Sequence, residues 1–177
     1  MLIEVAADQL MAFAKTLESP PQSIDPWTCT RAILESAALA GWLLDPSINA
    51  RTRIERSLAF RYDGFSEEIK FLRAIGNESS AARVIMKIEK LERLASELGF
   101  LPLRNTKGER IGIGQRMNSV TDIVKSVLNE EAFYRLCSAV INGQIGALQG
   151  LSFRRLDTTT FTDLILQRKV TGEPPFR

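Results

Sequence analysis

The segment from Trp27 to Leu44 is apolar nearly all the way round a helix, broken by only two charges, Arg31 and Glu35. A helix without a polar face cannot lie on the surface of a bundle, so it is predicted to be the buried centre around which other helices pack. Asp25–Pro26 precedes it and reads as a start signal, the aspartate capping and the proline at the first helical position. Its most apolar stretch, Ala32 to Leu44, is too short to cross a bilayer, which needs about 20 apolar residues, and Arg31, Glu35 and Asp45 border or interrupt it.

Amphipathic patterns flank this centre. Residues 2–18 carry Leu2, Val5, Ala6, Leu10, Phe13, Ala14 and Leu17 at steps of three and four and stop before Pro20–Pro21. Asp45–Pro46 repeats the start signal and opens a third helix to about Ile75, with a stripe of Ile54, Leu58, Tyr62, Phe65, Ile69 and Leu72, a possible kink at Gly64, and a stop at Gly76–Asn77. A fourth helix over 79–98 shows Val84, Ile88, Leu91, Ala95 and Leu98, then Gly99. The short turn between these two long stripes predicts an antiparallel helical hairpin. Residues 99–118, with Pro102, Gly108, Gly112 and Gly114, read as a long loop or short β-hairpin. Ser119-x-x-Asp122 resembles a capping box for a helix to about Leu128; Asn129 then caps a helix over Glu130–Ile141, and Thr160-x-x-Asp163 starts a last one ending near Lys169. The expected fold is all-α, a single-domain bundle of six to seven helices over residues 1–170 with a loose tail at 171–177.

Composition limits the chemistry. Of 177 residues none is histidine, which removes imidazole as base, proton shuttle or metal ligand. The net charge of +2 is too small to argue for nucleic acid or a membrane surface. Cys29 and Cys137 lie within helical apolar patterns and are expected to be buried and reduced, too few for a four-ligand zinc site without histidine. No metal or cofactor is implied. The opening residues carry Glu4 and Asp8 and no basic start, unlike a secretory signal, so a cytoplasmic location is expected.

Two polar constellations stand out. Arg31 and Glu35 are four apart and share one face; a buried ion needs its partner, so Glu35→Ala is expected to cost roughly 3–5 kcal/mol if the pair is buried. Tyr134, Ser138 and Asn142 fall at successive steps of four on the sixth helix. If the two faces meet, the five side chains form one hydrogen-bonded network. Separately, Arg51, Arg53, Arg56 and Arg61 concentrate positive charge on the third helix and are candidate contacts for RNA or DNA, although Asp63, Glu67 and Glu68 follow at once. Gly112-Ile113-Gly114 meets neither the dinucleotide nor the Walker spacing and reads as an ordinary loop.

Trp27-Thr28-Cys29-Thr30-Arg31-Ala32-Ile33-Leu34-Glu35, with Trp42-Leu43-Leu44-Asp45-Pro46 after it, resembles uncharacterised bacterial helical proteins distantly similar to the HEPN superfamily of helical-bundle ribonucleases and defence proteins. The resemblance implies a compact bundle, often dimeric, with an early Arg/Glu pair and a late Tyr-Ser-His motif at four-residue steps. Here the late positions are Tyr134, Ser138 and Asn142, so the histidine that HEPN-type RNA cleavage requires is missing. The function expected is therefore that of a non-catalytic interaction protein with a protein partner or a second copy, an inactive HEPN-like member of a defence or toxin–antitoxin-like pair. The alternatives are RNA binding with weak ribonucleolysis, and a small-ligand site or enzyme built on the Arg31, Glu35, Tyr134, Ser138 and Asn142 cluster.

Overall fold

A computed structural model describes residues 1–18 and 24–144. Six α-helices and one two-stranded hairpin follow in order: α1 Leu2–Thr16, α2 Asp25–Leu44, α3 Ala50–Ala74, α4 Glu78–Glu97, β1 Pro102–Arg104, β2 Arg110–Ile113, α5 Val120–Leu128 and α6 Glu131–Ile141. The fold is all-α with a minor hairpin. The helix expected at Thr160–Lys169 and the tail at 171–177 lie outside the described residues.

Helix α2 has the central place its composition demands. α1, α5 and α6 all pack on it, and only Asp25, Thr28 and Leu44 along its length are exposed. Ala38 and Trp42 join Ile123 and Val124 of α5 and Tyr134 of α6 in one core, with Leu34, Leu39 and Leu43 against it. A second core lies within the α3–α4 hairpin, where Leu58 and Tyr62 meet Ile88, Leu91 and Ala95, closed by Phe100 and by Ile113 of β2. Phe60 of α3 and Met117 reach the α2 core, so α3 borders both.

The local signals explain most boundaries. α3 and α4 end in the same way: the residue after the cap is a glycine with positive φ, Gly76 and Gly99, and the next amide reaches back to Leu72 O (2.8 Å) or Ala95 O (2.8 Å). That 6→1 bond satisfies a carbonyl that the helix end would otherwise leave open. The Ser119 hydroxyl accepts from Asp122 N at 3.1 Å, the N-cap half of a capping box, and donates to the Asp122 carboxylate at 2.6 Å, in place of the bond from the Ser119 backbone amide that completes the box. α3 runs through Gly64 as continuous α-helix.

Several starts differ from the sequence reading. The cap of α2 is Ile24, without a side-chain bond, which places Asp25 and Pro26 inside the first turn, where the aspartate still faces the positive helix end. Asp45–Pro46 does not open α3. The residue before a proline is pushed to extended backbone, and Asp45 (ψ 116) uses its carboxylate to hold a turn, accepting from Ser47 N at 2.9 Å and from the Ser47 hydroxyl at 2.6 Å. The cap of α3 is Asn49, which accepts from Thr52 N at 2.8 Å. Asn129 terminates α5 in the left-handed conformation (φ 55) rather than capping α6, whose cap is Glu130.

The apolar stripes differ too. On α1 the covered residues are Leu2, Ala6, Gln9, Ala12, Phe13 and Thr16, so Leu10 and Leu17, expected inside, are exposed. Ile54 and Leu98, at the outer ends of the α3 and α4 stripes, are exposed as well.

Two glycines test the packing in opposite directions. A Cβ at Gly64 would meet nothing within 4 Å, so Gly64→Ala should stabilise by about 0.5–1 kcal/mol, by adding helix propensity without contact. A Cβ at Gly41 would lie 2.7 Å from Val127 Cγ1 at the α2–α5 contact, so Gly41→Ala should destabilise by about 1–3 kcal/mol. Thermal unfolding of the two variants should move the midpoint in opposite directions.

Candidate functional site

The α2–α6 contact brings together three of the five expected polar residues. Arg31 Nε donates to Glu35 Oε1 at 2.8 Å across one helical turn. The Tyr134 hydroxyl of α6 donates to the same oxygen at 2.7 Å, and the Arg31 guanidinium lies 5.7 Å from the centre of the Tyr134 ring. One turn towards the start of α2, Trp27 stacks at a tilt on Phe133, their ring centres 6.4 Å apart. Tyr134 is thus held at the ring by a cation and at the hydroxyl by a carboxylate, which fixes the register of α6 on α2.

The other two residues do not join. Ser138 is half-buried and makes no side-chain hydrogen bond with a described residue. Asn142 is exposed and is the C-cap of α6, followed by Gly143 with positive φ. The four-residue spacing that places it on the face of Tyr134 outlasts the helix by one residue. The last position of the four-residue step is therefore a helix end.

The ion pair is not buried as expected. The side chains of Arg31 and Glu35 are 32% and 31% exposed, because the α2–α6 seam leaves one edge open to water. Burial opposes the Arg31 charge, but the bonds to Glu35 and Tyr134 outweigh it and hold the guanidinium above its ordinary range. Burial, then the Glu35 carboxylate, pushes the Tyr134 hydroxyl up. Neither group gives up a proton near neutral pH, so neither can serve as a general base there. The cluster is a closed set of donors on one acceptor.

The arginines of α3 are occupied by helix ends. Arg56 Nη1 donates to Trp42 O at 2.6 Å, lies 3.4 Å from Asp45 Oδ2, and its guanidinium sits 5.2 Å from the centre of the Trp42 ring. Arg53 donates to Asp45 O at 3.0 Å. Arg51 donates to Gly99 O at 3.3 Å and stacks 4.6 Å over Phe100. Three of the four candidate nucleic-acid contacts therefore cap the carbonyl ends of α2 and α4, where a positive charge is favoured. Arg61 is exposed and bonds to no described residue. Counting charge along the sequence could not reveal these roles, since the carbonyls come from 8 to 48 residues away.

The glycines at 112 and 114 also have packing partners. A Cβ at Gly112 would fall 2.5 Å from Gln115 O, and one at Gly114 would fall 2.8 Å from Glu55 Cγ. Their absent side chains let the hairpin close against itself and against α3, and Gly112 and Ile113 belong to strand β2 rather than to a loop.

Cys29 and Cys137 are both buried and free. Two open clefts exist elsewhere. One, about 680 Å³, lies between α3, β2 and the start of α5, with Asp63, Lys70, Arg110 and Arg116 along it; the other, about 770 Å³, follows α4 past Glu89 and Glu92 to Pro102. Neither is lined by any of the five candidate residues. Along the second, Glu92 pairs with Arg110 at 3.1 Å, an ion pair joining α4 to the hairpin across 18 residues of chain, with no local spacing to announce it. Among the described residues no helix is long and apolar enough to cross a membrane. The chain matches no family model, no curated protein and no solved structure.

Two predictions follow from this geometry. With a third of each side chain in water, Glu35→Ala should cost roughly 1–2 kcal/mol rather than the figure for a buried pair, and Tyr134→Phe about 1 kcal/mol; denaturant unfolding of both, with the double variant, should show that the effects do not add. Burial pushes the Cys137 thiol from 9.0 up to about 11. An acid whose folded pKa is raised contributes stability below the unfolded value and loses it as pH rises towards the folded one. Stability should therefore fall by roughly 2 kcal/mol between pH 9 and 11 through this residue, and Cys137→Ala should flatten that slope in unfolding titrations.

Proposed function

We propose that the chain is a non-catalytic helical protein that works by binding another protein, a second copy of itself included. The single observation that carries this reading is the Arg31–Glu35–Tyr134 cluster, whose polar groups bond to one another across the α2–α6 contact. The chain has no histidine, Tyr134 is held protonated, and the cluster's one carboxylate, Glu35, is engaged by both Arg31 and Tyr134 at Oε1.

What remains on the surface supports association. On the α3–α4 hairpin Phe71, Ile75, Met86, Leu94 and Leu98 are all exposed. Large apolar side chains left in water are the usual raw material of a protein contact. The resemblance to HEPN proteins adds a setting to this proposal, an inactive member of a bacterial, cytoplasmic defence or toxin–antitoxin-like pair that keeps the Arg/Glu scaffold without the cleavage motif.

RNA binding through Arg51, Arg53, Arg56 and Arg61 is the second reading, and it is favoured by one observation: Arg51, Arg53 and Arg61 are all exposed. Its cost is that phosphate would have to compete for guanidinium groups already bonded to carbonyls.

Light scattering of the intact chain across the micromolar range should show a dimer, and Phe71→Glu with Leu94→Glu should return it to monomer with its melting temperature unchanged. A strict monomer that also shows salt-dependent RNA affinity, lost on Arg51→Ala/Arg53→Ala, would replace the protein-contact reading with the RNA one.

A further inference from the structure

Helices α3 and α4 each carry a second stripe beside the one that packs in the core between them. On α3, positions 54, 57, 61, 64, 68, 71 and 75 recur at alternating steps of three and four, and all are exposed. On α4, positions 83, 87, 90, 94 and 98 recur at steps of four and three, and all are exposed too. Both stripes border one seam, for Lys87 Nζ lies 3.8 Å from Glu68 Oε1 and 5.6 Å from the centre of the Phe65 ring. With the helices antiparallel, that pairing places Leu94 and Leu98 towards the end that holds Ile54 and Arg61, and Arg83 towards the end that holds Phe71 and Ile75. At 1.5 Å per helical residue the groove from Ile54 to Ile75 is about 32 Å long.

Its charge is one-sided. Arg61, Arg83, Lys87 and Lys90 stand on the two stripes, against the single acid Glu68. Lys87 takes Glu68; Arg83 donates to the Ser80 hydroxyl, and Arg61, Arg83 and Lys90 form no ion pair with a described residue. The remaining acids of α3 and α4 are placed elsewhere. Glu67 pairs with Lys70 and Glu78 with Arg73. Asp63 lines the cleft beside β2 and α5, and Glu55 packs on Gly114. Glu89, Glu92 and Glu97 line the cleft that runs from α4 to Pro102.

We propose that this groove takes an acidic amphipathic helix of another protein. The inference rests on the protein-contact reading of the α3–α4 surface and names the partner that surface fits. A helix laid along the seam covers Ile54, Leu94 and Leu98 at one end and Phe71 and Ile75 at the other with its own apolar stripe, and acids flanking that stripe meet Arg61, Arg83 and Lys90. Nucleic-acid phosphates would neutralise the cations and leave all five apolar side chains in water. A second copy covers the apolar side chains but sets cation against cation, so an acidic helix displaces it.

The test titrates the full chain into two labelled peptides of about three heptads, followed by fluorescence anisotropy. Both are blocked at their termini and carry leucine at a and d; one has glutamate at e and g, the other lysine. The glutamate peptide should bind at least tenfold tighter, and high salt should weaken it about tenfold. Arg61→Glu/Arg83→Glu/Lys90→Glu should reverse the preference with the melting temperature unchanged. Phe71→Ser/Leu94→Ser should weaken the glutamate peptide about tenfold through lost apolar burial. Equal affinity for the two peptides, or a preference that survives the triple reversal, would overturn the assignment. So would tighter binding to vesicles of anionic phospholipid, or to an RNA oligonucleotide, that the same reversal abolishes. A dimer that Phe71→Glu/Leu94→Glu dissolves but the glutamate peptide does not would overturn this inference and leave the protein-contact reading in place. A monomer that takes neither peptide would end both.

Discussion

The carbonyl end of α2 is the point on which the fold depends. A helix that ends inside a protein leaves its last carbonyls without partners, and each one stranded away from water costs about as much as a lost hydrogen bond. Here Arg56 and Arg53, from the first turns of α3, reach back to Trp42 O and Asp45 O. The same contact joins two cores that otherwise meet only lightly, one built on α2 with α5 and α6, the other within the α3–α4 hairpin. Arg51 repeats the device at the far end of α4, bonding Gly99 O above the Phe100 ring that closes the hairpin core. Three guanidinium groups on one helix thus hold the ends of two others. Their planar donors suit this work better than lysine would, since Arg51 and Arg56 each stack on an aromatic ring while donating to a carbonyl.

The polar cluster at the α2–α6 seam solves a different problem. α6 is short, and its contact with α2 is largely apolar, so it could slide by a turn with little loss of buried area. A tyrosine hydroxyl that must find the Glu35 carboxylate removes that freedom. Replacing such a set with apolar residues can be neutral for stability, so its value lies in selecting one register. The partial exposure of Arg31 and Glu35 makes the device inexpensive, because neither ion is fully stripped of water. A cluster dedicated to register also explains why Ser138 and Asn142 stand apart, since one anchoring side chain is enough.

How much of this was legible depended on whether the signal was local. The capping box at Ser119, the glycine stops after α3 and α4, and the antiparallel hairpin of those helices involve residues within six positions of each other, and all were readable. Asp45–Pro46 misled because its two residues start helices and hold turns equally well, and only the bond to Ser47 decides between them. The exposure of Leu10 and Leu17 was hidden by the breadth of the apolar arc on α1: periodicity shows that a helix has an apolar side, but when two adjacent stripes are both apolar it cannot say which one the neighbour takes. The Arg31–Glu35–Tyr134 set was partly legible, through the four-residue step and the oddity of charges in an apolar run. Its extension to Asn142 failed because spacing alone does not reveal where a helix stops. The arginines of α3 were visible as charge and unreadable as caps, their partners being carbonyls with no signature in the sequence.

The distribution of these groups bears on what the molecule can do. Arg51, Arg53 and Arg56 are engaged at helix ends, the Arg31–Glu35–Tyr134 set in register, and Gly112 and Gly114 in close packing against Gln115 and Glu55. Large apolar side chains, by contrast, remain in water on α1 and on the α3–α4 hairpin. Free energy is available where burial is incomplete, at about 25 cal/mol for each Å² of apolar surface removed from water, and little is available where polar groups are already satisfied. That balance is what supports the proposal that the chain works by covering surface.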